Sequence, residues 1–184
     1  AKALLASAEA VSWLDDNAEL EPRTYERLWR EADAILTRSN DRDQAITSLR
    51  GVRRRELLRI AAADALGLIN PSDATEAVTA TADVLVEGAL RIARHVVAAE
   101  RGEDAMPDRM IVVAMGRFGG REMTYTSDAD VQFVWYGGWE GAQSSAVQVA
   151  VMVRQLLQAV WPQPPLAIDA DLRPEGKNGP LARS

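Results

Sequence analysis

Asp128 and Asp130 stand one alanine apart, and Asp169 and Asp171 repeat the pattern further along the chain. On a strand, successive side chains alternate faces, so each pair presents both carboxylates on one side. Two carboxylates side by side repel unless a cation sits between them. Hard divalent ions, Mg2+ above all, take such oxygens together with the phosphate oxygens of a substrate. If the third acidic strand lies beside the first pair, the set completes a site for two metal ions about 3.5–4 Å apart. One ion there lowers the pKa of an attacking hydroxyl, and the other neutralises a triphosphate and its leaving group. Upstream, Gly116, Gly119 and Gly120 crowd into the stretch GRFGG. Small residues after a buried strand let main-chain N–H groups approach anionic oxygens. GRFGG lacks the Lys-Ser/Thr ending of a P-loop, and its G-x-x-G-G order is a poor dinucleotide fingerprint. Taken singly, these features read as an ordinary tight turn and as aspartates solvating strand ends. Glycine turn, Asp-x-Asp and a third acidic strand in compact order read instead as a metal-dependent nucleotidyl-transfer site.

The elements that must hold these groups follow from periodicity. Met110 to Met115 is a compact apolar run ending in glycine, the pattern of a buried strand. Asp130 to Tyr136 is a second strand, AQSSAVQVAVMVRQLLQAVW a helix with an apolar stripe, and PLAIDADL a third strand. Residues 1 to 105 read as entirely helical. LLASAEAVSWL is a short apolar-periodic segment, and EPRTYERLWREADAILTRS places Pro22 in a first turn. DRDQAITSLRGVRRRELLRIAAADALGLI follows. INPSDATE then restarts the chain, capped either by Asn70 with Pro71 at the first position or by Asp73 with Glu76 reaching back. The expected fold is α+β: an N-terminal helical region, 1–105, packed on a small mixed-sheet core, 106–184. The run RRRE at 53 to 56 reads as a solvated helix face, with an anion site as the alternative. The lone histidine, His95, excludes a multi-histidine metal site and reads as a surface or boundary residue. The five tryptophans, at 13, 29, 135, 139 and 161, read as packing residues.

Composition narrows the classes. A chain of 184 residues that is 47% hydrophobic can bury a sizeable core. Its formal charge of −6 argues against a nucleic-acid partner, since phosphate backbones reward Lys and Arg. The absence of cysteine excludes disulfides and thiolate metal sites and suits the cytoplasm. No apolar run approaches the length of a membrane span, and no signal-peptide pattern opens the chain. The start in helical character and the stop at LARS read as a piece of something longer, with no closing element.

Gly116 followed, after eleven residues, by Asp128-Ala129-Asp130 resembles the signature of the nucleotidyltransferase superfamily that includes DNA polymerase β. The fuller wording, VVAMGRFGGREMTYTSDADV with IDADLRPEGKNGPL, is closer to the bifunctional glutamine synthetase adenylyltransferase/adenylyl-removing family. RRRELLRIAAADALGL resembles that family too. The resemblance implies two related catalytic halves in one long polypeptide. One attaches AMP from ATP to a tyrosine hydroxyl of glutamine synthetase. The other removes it with phosphate and releases ADP. PII signal proteins and glutamine decide which half acts, regulating nitrogen assimilation. LLRIAAAD and LRPEGKNGPL are more similar to the adenylylating half.

The resemblance also implies roles for single residues. Asp128 and Asp130 match the paired metal ligands and Asp169 the third acid, holding two Mg2+ ions with ATP as substrate. Gly116, Gly119 and Gly120 match the phosphate-side turn. Arg117 either touches phosphate or faces solvent, Ser127 orients the first ligand, and Arg173 is a phosphate or fold-supporting contact. Asp171 shares the face of Asp169, so either can be the third ligand. The family's downstream helical domain is absent, so the chain is expected to bind weakly or do no chemistry alone. Transfer to a small-molecule hydroxyl and a non-catalytic interaction domain are the readings that compete.

Overall fold

The computed structural model describes residues 17–139, 141–160, 163–172 and 179–184. The segment LLASAEAVSWL, Trp13, Trp161 and Arg173 lie outside the described residues.

Among the described residues, three helices form the N-terminal layer, each started by a polar side chain that takes up an otherwise unpaired first-turn N–H. Helix α1 spans Tyr25–Arg38, with the Thr24 side chain accepting from the Arg27 N–H. Pro22 therefore lies before the helix and not in its first turn, because Thr24 supplies the capping hydroxyl that Pro22 lacks. Helix α2 spans Arg42–Ala65 behind Asp41, and α3 spans Pro71–Arg101 behind Asn70. Asn70 Oδ1 accepts from the Asp73 N–H at 2.9 Å, which selects the Asn70–Pro71 start over the Asp73 one. Short 3-10 turns occupy Asn17–Leu20 and Glu103–Ala105.

The sheet has four strands. β1 is Arg109–Ala114, β2 Ala129–Tyr136, β3 Ile168–Asp169 and β4 Ala182–Arg183. A short helical turn, α4 (Gly116–Gly119), follows β1, and α5 (Ala142–Gln158) joins β2 to β3. β1 runs antiparallel to β2, from Arg109↔Tyr136 to Ala114↔Val131. β3 and β4 both pair with β2 in parallel, through Asp130↔Asp169 and Phe133↔Ala182. Parallel neighbours need a crossover between them, and the helix α5 supplies it for β2 and β3. The sheet is mixed, and the fold is α+β. β3 is much shorter than PLAIDADL suggested, and LARS, expected to close nothing, contributes β4.

Strand alternation separates the two faces of β2. Ala129, Val131 and Phe133 are fully buried and join one core with Val149 and Val153 of α5. The same core continues through Leu85 and Ile92 of α3 to Leu28 of α1. Asp130, Gln132 and Val134 occupy the opposite, more open face. Among the described residues no helix is long and apolar enough to cross a membrane.

The run RRRE departs from expectation. Arg53 and Glu56 are buried, at 7% and 2% exposure, as are Arg50 and Arg59 of the same helix. The cause is a second layer of chain on that face. Arg50 Nη2 donates to the carbonyls of Ala159 and Gln163, and Arg53 Nη1 to that of Pro165 at 3.5 Å. Glu56 accepts from the Arg23 N–H at 2.8 Å and from Arg59 Nε at 3.3 Å. Buried charge is tolerated where partners are supplied. Arg53 and Glu56 are thus not part of a solvated face: Arg53, with Arg50 before the run, braces Ala159, Gln163 and Pro165 ahead of β3, and Glu56 holds Arg23 and Arg59. Trp29 and Trp135 pack against the core as expected, whereas Trp139 is 84% exposed. His95 is exposed.

Candidate active site

Asp128 immediately precedes β2, Asp130 is its second residue, and Asp169 ends β3 as the register partner of Asp130. Parallel pairing puts partners on one face, so strand geometry alone aligns Asp130 with Asp169. Asp128 lies two residues back along the same alternation. Each of the three offers a carboxylate oxygen, and these atoms all lie within 4.8 Å of one another. The Ala129 N–H donates to Ala167 O at 2.9 Å, which fastens the two acidic segments side by side. Asp169 Oδ1 accepts from the Asp171 N–H at 2.8 Å. That bond belongs to a bend after β3, and Asp171 stays outside the carboxylate group.

Burial raises the Asp130 pKa, and the neighbouring charges of Asp128 and Asp169 push it the same way, with Arg117 opposing. The cluster is therefore electrostatically strained as three bare anions. All three residues keep some exposure, and their donors are hard oxygens. A Mg2+ ion fits that donor set and relieves that repulsion.

The glycine turn leans on this cluster. The Met115 N–H donates to Asp130 O at 2.8 Å as β1 ends. Gly116 then turns with φ +51°, and a Cβ added there would overlap the Asp130 carboxylate, 3.1 Å from its Cγ. Only glycine allows both the backbone angle and the approach. Gly119 is constrained from the other side: its Cβ would sit 2.6 Å from Ala114 O. The Gly119 and Gly120 N–H groups are spent on Met115 O and Gly116 O within α4. Phe118, buried, anchors the turn, while Arg117 is exposed on it.

The chain matches a protein family described as glutamate-ammonia ligase adenylyltransferase over residues 1–184. It belongs to the glutamate-ammonia ligase adenylyltransferase family. It is similar to the bifunctional glutamine synthetase adenylyltransferase/adenylyl-removing enzyme of Streptomyces coelicolor, 41% identical over 201 residues. That match covers 98% of this chain and 20% of the relative. Its counterpart in Streptomyces avermitilis is 43% identical, again over 98% of this chain and 20% of the relative. The Mycolicibacterium smegmatis counterpart is 41% identical over 82% of this chain and 15% of its own length. The chain thus spans a fifth or less of the length of these curated relatives.

In this adenylyltransferase-family chain Arg117 stays on the turn beside the acids, whereas Ser127 serves its own loop. Ser127 does not bond Asp128. Its Oγ accepts from the Thr124 N–H at 3.0 Å and lies 3.0 Å from Thr124 Oγ1, closing the loop before the acids. Residues that sequence reasoning passed over do more of the holding. Arg121 reaches Glu76 and Asp83 of α3, the Met123 N–H donates to Thr79 Oγ1 at 3.2 Å, and the Tyr125 hydroxyl donates to Asp64 at 3.1 Å. Arg50 and Arg53 hold the approach to β3 from α2. The available signal was an arginine directly after two glycines, and it names no partner without the tertiary fold.

Proposed function

We propose that this site transfers AMP from ATP to a tyrosine hydroxyl of glutamine synthetase in the cytoplasm, with Mg2+ held by Asp128, Asp130 and Asp169. The observation that carries this reading is the convergence of three carboxylates from two segments, the start of β2 and the end of β3, with Gly116 against Asp130. When bound, Mg2+ lowers the pKa of the attacking hydroxyl and neutralises the triphosphate. The chain's own residues do the rest. Gly116 brings the backbone of the turn up to the Asp130 carboxylate, and Arg117 adds a positive charge on the exposed side of the turn. Asp169 Oδ1 is committed to the Asp171 N–H, so Oδ2 is the atom left to accept the tyrosine proton. The tyrosine oxygen bonds to the α-phosphorus as the α–β phosphoanhydride breaks, and pyrophosphate departs. PII signal protein acts through the full-length protein.

The printed names of the relatives join adenylylation with adenylyl removal, so phosphorolysis by the same carboxylates is the second reading. The wording of LRPEGKNGPL supports the adenylylating half. Full-length protein carrying Asp130→Asn separates the two readings. Offered glutamine synthetase, Mg2+ and labelled ATP, it transfers no label, yet it still strips AMP from modified glutamine synthetase in phosphate. Loss of stripping with transfer retained would reverse the assignment. Label arriving only on a small-molecule hydroxyl acceptor would replace the substrate.

A further inference from the structure

We propose that Arg121 is a positioning residue that sets the glycine turn against the three aspartates by clamping it to helix α3. The inference rests on the nucleotidyl-transfer reading above. Arg121 sits at φ 59°, the one non-glycine residue with positive φ among the described residues. That region favours glycine, and the two preceding residues are glycines. A side chain kept in such a place is a side chain in use. Its Nε donates to Glu76 Oε1 at 2.6 Å and its Nη1 to Asp83 Oδ2 at 2.9 Å. Glu76 and Asp83 are seven residues apart, two turns of α3 on one stripe, so a single planar fork spans both. Thr79 lies between them on that stripe, is fully buried, and accepts from the Met123 N–H. The segment just after the turn is thus fastened to α3 at consecutive points.

The front of the turn has no such latitude. Gly116 lies against the Asp130 carboxylate, and Met115 is bonded to the Asp130 carbonyl. With its front on the acid and its back on α3, the turn can move only if one of the two attachments opens. Burial raises the pKa of Asp83 and the Arg121 guanidinium opposes the rise, so the carboxylate has a reason to keep its partner. Triphosphate atoms outside the reacting bond meet the turn in ground state and transition state alike, so a slack turn weakens binding more than turnover.

Arg121→Gly tests this, because glycine keeps the backbone angle and deletes only the clamp. Arg121→Lys keeps the charge but not the fork. In the 184-residue chain, backbone amides of 116–120 in Arg121→Gly exchange at least about tenfold faster, with the rest of the core unchanged. In the full-length protein the KM for MgATP rises about tenfold while kcat changes less than about twofold, and Arg121→Lys falls between. Unchanged exchange in Arg121→Gly overturns the clamp. Faster exchange with an unaltered KM overturns the positioning role. Asp130→Asn run alongside separates the failures: transfer retained there overturns the reading of the site, and the role of Arg121 with it.

Discussion

Three carboxylates converge in the proposed site, and their mutual repulsion is measurable before any substrate is added. Asp130 has a raised pKa, first from burial and then from Asp128 and Asp169. In metal-free protein its contribution to stability is therefore present below the unfolded aspartate range and lost as pH rises through the folded value. Asp130→Asn removes that loss. Its melting temperature without metal is expected to equal or exceed the parent's at neutral pH, and the advantage to vanish in acid. Transfer in the full-length variant is expected to fall by about a thousandfold or more, in line with loss of a preorganised electrostatic group. Two tyrosines report on the helices in the same way. Burial, then a hydrogen bond to Glu87, pushes Tyr25 up to about 12, and burial, then Asp64, pushes Tyr125 up to about 12. Each contributes stability that is complete below the ordinary value of 10.0 and lost as pH rises through about 12. Alkaline titration of tyrosine absorbance should lose one late component in Tyr25→Phe and one in Tyr125→Phe. An unchanged profile in either variant removes that assignment.

Among the elements, the helices act as clamps on segments that have little structure of their own. β3 is two residues long and cannot place Asp169 by its own ladder. The segment before it is held by Arg50 and Arg53 from α2, and by Gln158, whose Nε2 donates to Ile168 O at 3.3 Å. Arg50→Ala leaves the Ala159 and Gln163 carbonyls without that donor. Loss of hydrogen bonds from a charged donor costs about 1.5–3 kcal/mol, so urea unfolding should shift by that order. The same variant should lower transfer through displacement of Asp169, with Asp128 and Asp130 undisturbed. Equal stability with normal transfer would show that the brace is redundant.

Over the whole molecule one buried cluster runs from Leu28 of α1 through Leu85 and Val97 of α3 to Phe133 and Leu157. Helical layer and sheet share it, so unfolding followed by fluorescence and by circular dichroism should give one coincident transition. If the proposed site holds metal, Mn2+, standing in for Mg2+, is expected to bind only the folded arrangement of the three aspartates. At a hundred times its dissociation constant it should add about 2.7 kcal/mol to stability. Asp130→Asn should remove that increment. Two separated transitions would place the layers in independent units, and an increment unchanged by Asp130→Asn would place the metal elsewhere.

Much of this was legible in the residues alone, because it depends on local periodicity and local chemistry. Compact apolar runs and stripes at helical spacing located β1, β2, α5 and the three long helices, and the Asn-Pro pair allowed the start of α3. Asp-x-Asp beside a glycine turn pointed to the chemistry proposed above, and the structure brings those residues together. What the sequence could not contain is which distant groups meet. Register, not spacing, set Asp169 opposite Asp130 and left Asp171 aside. Contacts of Arg50 and Arg53 with the carbonyls of Ala159, Gln163 and Pro165 turned part of a helix face that looks solvated into a buried brace. Arg121 gained its role only from carboxylates some forty residues earlier on another helix. Hydrogen bonds between remote segments leave no periodic trace in a chain, and only the folded structure decides them.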